Sequence, residues 1–116
     1  MKRDNDYIRQ LLLEMEESED FRFDVIDGAS EDEIDKRLYH MKLLTDAGLA
    51  TNVGKYAHRL TNGAHDFLDA MRDEGIWKKT KEAVADSGGN ATLDIIKQIA
   101  VAFLKKQIRE RTDLEF

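Results

Sequence analysis

The stretch Ser30-Glu31-Asp32-Glu33-Ile34-Asp35-Lys36-Arg37-Leu38-Tyr39-His40-Met41-Lys42-Leu43-Leu44-Thr45-Asp46-Ala47-Gly48-Leu49 decides the fold. Ile34, Leu38, Met41 and Leu44 recur in steps of three and four, which lines up one face of an α-helix. Ser30 with Glu33 three residues later has the form of a capping box, so a helix is expected to start there. Gly48 after Ala47 supplies the stop. Two short extended pieces are expected next, near residues 49–51 and 55–60. The turn between them carries Asn52 and Gly54, both tolerant of positive φ. A helix therefore runs directly into a small hairpin.

Upstream, residues 4–18 read as a first helix. Ile8, Leu11, Leu12 and Met15 hold helical spacing, and Asp4 or Asn5 can cap the start. Phe21, Phe23 and Val25 alternate with Arg22 and Asp24, the pattern of a half-buried strand, and Asp27-Gly28 turns the chain. Only Ile26 to Ala29 separate that strand from the capped helix. Downstream, Thr61 can cap a third helix that buries Ala64, Phe67, Leu68 and Met71, and Gly75 marks a break. Ile76, Trp77 and Val84 suggest a fourth, shorter helix stopped by Ser87-Gly88-Gly89. From about Thr92 a last helix carries Leu93, Ile96, Ile99, Ala100, Phe103, Leu104 and Ile108. Lys105, Lys106, Arg109 and Arg111 crowd its end, where cations favour the helix dipole.

The expected fold is mainly α with a small β-hairpin or three-strand sheet. Residues 1–74 form the core, and a helix running into a two-stranded hairpin is the skeleton of a winged helix-turn-helix. Residues 75–116 form a C-terminal helical extension packed on it, in one compact domain.

The chain has 116 residues, enough for one domain that needs no metal or disulfide as a staple. With 41% apolar and 36% charged residues it is too apolar for disorder and too polar for a membrane protein. The absence of cysteine excludes disulfides, thiolate nucleophiles and cysteine-ligated metal sites. No apolar run reaches the length of a signal or a membrane span, so a cytoplasmic location without membrane contact is expected. Net charge is −6, unevenly spread. Residues 14–35 hold eleven acids against Arg22; residues 36–60 hold five cations against Asp46.

The segment from Leu38 to Leu49 resembles the recognition-helix exit of bacterial winged-helix regulators, H-L-x-x-L-x-x-A-G-L, and Arg59-Leu60-Thr61-Asn62-Gly63 resembles the L-T-x-x-G that leaves their wing. A closer resemblance covers nearly the whole chain. The opening Met1-Lys2-Arg3-Asp4-Asn5-Asp6-Tyr7-Ile8-Arg9, the stretch His40-Met41-Lys42-Leu43-Leu44, and Leu60-Thr61 with Gly63-Ala64-His65-Asp66-Phe67-Leu68-Asp69 are similar to domain-of-unknown-function family 2513, a set of bacterial and prophage proteins. That resemblance implies a winged-helix-like core and a link to mobile or phage DNA, and carries no activity with it. The missing room for a short helix ahead of the recognition helix departs from ordinary winged helices and bears on major-groove docking.

Double-stranded DNA is the first expected partner, on a face made of Lys36, Arg37, His40, Lys42, Lys55 and Arg59, whose cations would neutralise phosphates. The helix start Ser30-Glu31-Asp32-Glu33 opposes this, because carboxylates would meet phosphate there. A protein partner is the alternative, as an adaptor or a phage-type inhibitor. Tyr39 and Leu43 lie off the core stripe of their helix, and Ile95 and Ala102 lie outside the main stripe of the last one, so a homodimer through the C-terminal helix is also expected. No enzyme is expected. His65 and Asp69 have a permissible ligand spacing but no third ligand that must converge on them, and Gly48 to Gly54-Lys55 misses phosphate-loop spacing by one residue. Neither a metal nor a cofactor is expected.

Overall fold

The computed structural model describes residues 1–89 and 91–112. Its order is α1 (Asn5–Glu17), β1 (Phe23–Asp24), α2 (Glu31–Asp46), β2 (Ala50–Asn52), β3 (Ala57–Leu60), α3 (Asn62–Met71), α4 (Glu74–Asp86) and α5 (Leu93–Thr112). The fold is mainly α with one three-stranded antiparallel sheet ordered β1-β3-β2. The chain divides into two units, Met1–His65 and Asp66–Phe116.

In the first unit, α1 starts where the Asp4 carboxylate accepts the Tyr7 N–H at 3.1 Å. Ile8, Leu11, Leu12 and Met15 form its buried stripe, and α2 buries His40, Met41 and Leu44. Each fully buried leucine contributes about 1.5–3 kcal/mol. Ser30 holds the N-cap position of α2, but its side chain makes no capping bond. Its carbonyl instead accepts from Glu33 and Ile34, while Glu31, Asp32 and Glu33 occupy the positive end of the helix dipole. Gly48 adopts φ +74°, which a side chain would disfavour, and sends the chain into β2. Thr61 then fixes the hairpin to that exit: its hydroxyl donates to the Gly48 carbonyl at 2.6 Å and accepts the Ala64 N–H at 3.3 Å.

The expected strand at Phe21–Val25 is reduced to Phe23 and Asp24. The Asp20 carboxylate takes both the backbone N–H and the guanidinium of Arg22, which bends the chain before β1 and leaves Phe21 67% exposed. The Asp24 carboxylate likewise takes the N–H groups of Ile26 and Asp27 and ends the strand. Val25 is buried and still donates to the Tyr56 carbonyl.

In the second unit, α4 and α5 pack together and run antiparallel, since Asp73 at the start of α4 interacts with Gln107 and Arg111 near the end of α5. The break ahead of α4 lies at Arg72–Asp73, not at Gly75. Asp73 accepts the Ile76 N–H at 3.1 Å, so Gly75 falls within the first turn. Gly88 and Gly89, both at positive φ, close α4, and Thr92 caps α5 by accepting the Ile95 N–H. Among the described residues no helix is long and apolar enough to cross a membrane.

Candidate functional site

The six cationic or imidazole residues expected on one face are distributed over three places. Lys36, Arg37 and His40 turn toward α1. Lys36 reaches the Asp4 carboxylate at 3.5 Å and lies 4.4 Å over the Tyr7 ring. Arg37 pairs with Glu14 at 2.5 Å, donates to the Val25 carbonyl at 3.2 Å and stacks over Phe23. It also lowers the affinity of the Tyr7 phenol for its proton, against a larger upward push from burial. His40 is fully buried. Its Nε2 accepts the Asp4 backbone N–H at 3.0 Å, which leaves the ring proton on Nδ1 to donate to the Lys36 carbonyl at 2.8 Å. The Tyr7 and Tyr39 rings flank it. These three residues hold α1 against α2, and neither ring nitrogen of His40 is open to a ligand.

Arg59 lies elsewhere, in a concavity shared with Glu16, Glu19 and Phe21. Successive strand residues point to opposite faces of a sheet, so Arg59 faces away from His58.

Lys42 and Lys55 remain, and they do converge. They line a groove of about 750 Å³ between α2 and the hairpin, with Leu38, Tyr39, Met41, Thr45, Asn52, Tyr56 and His58. Asp35 and Asp46 line it too, so two cations face two carboxylates and the groove carries no net charge. The Lys55 ammonium lies 5.6 Å from the Tyr56 ring centre, and Tyr56 is 39% exposed. His58 is the unusual member. Its Nδ1 is buried without a hydrogen-bond partner among the described residues, a state that costs about 1–3 kcal/mol when left unsatisfied. Burial also pushes the imidazole below the ordinary histidine range, against a weaker opposing hydrogen bond to the Tyr56 backbone.

Of the residues expected at a protein interface, Tyr39 lines this groove, and Leu43 is half-buried on α2 outside it. Ile95 and Ala102 are exposed on α5 in the second unit. Tyr56 and His58 were not among the expected site residues. Their spacing of two, which puts both on one face of an extended segment, is the signal that locates them. Among the described residues no cluster of three or more His, Asp or Glu is arranged to hold a metal ion.

Residues 2–90 match the model of the family described as "Hypothetical protein (DUF2513)". The chain is similar to an uncharacterized protein of Haemophilus influenzae, 30% identical over 117 residues that cover 93% of this chain and 99% of the relative. No solved structure matches it.

Proposed function

The chain belongs to the DUF2513 family, and we propose that this member is a protein-interaction module of the bacterial cytoplasm, with a winged-helix-like core and no catalytic role. The step from α2 into the hairpin and the strand order β1-β3-β2 support the winged-helix-like reading. In such a core α2 is the helix that would enter a DNA groove. Its exposed positions carry Glu31, Asp32, Glu33, Asp35 and Asp46 against Lys42 and the partly exposed, Asp4-paired Lys36. Carboxylates in that number repel phosphate, and three of the six expected DNA-binding side chains are committed to α1.

The observation that carries the reading is the α2–hairpin groove itself: two tyrosines, aliphatic side chains and balanced charge around a buried, unpartnered imidazole nitrogen. Aromatic anchors beside polar groups suit a peptide side chain better than a phosphate backbone. Selection of displayed peptides against the full chain is expected to yield binders that lose affinity on Tyr56→Ala. Duplex DNA is expected to give no salt-sensitive shift at about 50 mM salt, where phosphate contacts are strongest. A duplex shift abolished by Lys42→Glu with Lys55→Glu overturns the proposal in favour of DNA.

A further inference from the structure

Resting on that reading, we infer that the occupant of the α2–hairpin groove is the 19–22 bend of a second copy of this chain. The bend presents Glu19, Asp20, Phe21 and Arg22 ahead of β1. Phe21 is the most exposed aromatic side chain among the described residues, at 67%. The Asp20–Arg22 interactions hold the bend in shape, and the Arg22 guanidinium lies 5.3 Å from the Phe21 ring centre. A pre-shaped bend carries less ordering cost into a complex than a flexible arm would.

The groove offers the matching chemistry. Tyr39 and Tyr56 provide aromatic walls for Phe21, and Lys42 and Lys55 provide cations for Glu19, while Asp20 and Arg22 already offset each other within the bend. The unpaired charge of the bend thus meets the cations of the groove. Knob and groove lie in the same unit, at separate places on it. Each copy therefore offers one of each, on opposite sides of the sheet, so insertion is head-to-tail and each copy can both give and receive a bend. One aromatic ring enters at each contact and buries the two-thirds of Phe21 that the single chain leaves exposed.

Light-scattering mass and sedimentation of the full chain over a concentration series test this. The expected result is a mass that rises above one chain as concentration increases. Phe21→Ala, which removes a side chain the single chain leaves in solvent, weakens association roughly tenfold or more with unchanged helical signal and melting. Lys55→Glu weakens it as well, and adding Glu19→Lys to Lys55→Glu restores it. A single-chain mass at all concentrations, or an assembly indifferent to Phe21→Ala, overturns the inference. If selected peptides still bind at Tyr56 under either result, the interaction-module reading stands without self-association. If neither peptides nor a second copy bind, both fall.

Discussion

His40 shows how one buried side chain can settle what its neighbours do. Between the Asp4 N–H and the Lys36 carbonyl its two ring nitrogens are both engaged, and the residue is 0% exposed. His40→Ala is expected to cost about 2–4 kcal/mol in urea unfolding, from the cavity and the orphaned Asp4 N–H together. His40→Gln, which keeps an acceptor, should recover part of that loss. Equal loss in both variants would mean that only volume matters there. The charges of Lys36 and Arg37 were legible in the sequence, but their partners were not. Residues 36, 37 and 40 share one helical face, and nothing in the residue types says whether that face meets solvent or α1. Tyr56 and His58 were hidden for a related reason: the hairpin was legible as extended chain, while the helix that walls the groove opposite them is remote in sequence.

The helices were legible because an apolar stripe of period 3.6 survives any surface decoration, as Ile8, Leu11, Leu12 and Met15 illustrate. The strand β1 was legible in place but not in length, because the local carboxylates Asp20 and Asp24 compete for the backbone N–H groups a longer strand would use. The same competition works in favour of helix starts. Hydrogen bonding from the Tyr7 N–H, with help from Lys36, holds the Asp4 carboxyl below its ordinary range; the Ile76 N–H does the same for Asp73. A depressed carboxylate contributes stability above its unfolded value and loses it as pH falls through the folded one. Acidification down through and below the ordinary carboxylate range is therefore expected to unfasten both caps. Asp4→Asn with Asp73→Asn should flatten the helical signal measured across that window, since asparagine still accepts the bond without titrating. An undiminished acid transition in the double variant would place its origin in other carboxylates.

Over the whole molecule, charge is the dominant unspent term. Eleven acids against one arginine within residues 14–35 repel one another at close quarters, beyond what pairs such as Asp20–Arg22 and Glu14–Arg37 offset. Added salt screens that repulsion over a Debye length of about 10 Å at 0.1 M. The melting temperature is therefore expected to rise by a few degrees between about 10 and 200 mM sodium chloride. A falling or flat profile would mean that attractive pairs such as Glu14–Arg37 outweigh the repulsion. The Asp4–His40 bond also bears on the order in which the first unit assembles. It joins residues 36 positions apart, whereas the hairpin joins Asn52 to His58. Closing the longer loop costs more chain entropy, so the local hairpin forms ahead of it and the amino-terminal helix seats late. On the reverse path that helix is the first to lift away, and a protease sampling briefly opened molecules should clip the chain's opening residues while α2 and the hairpin remain folded.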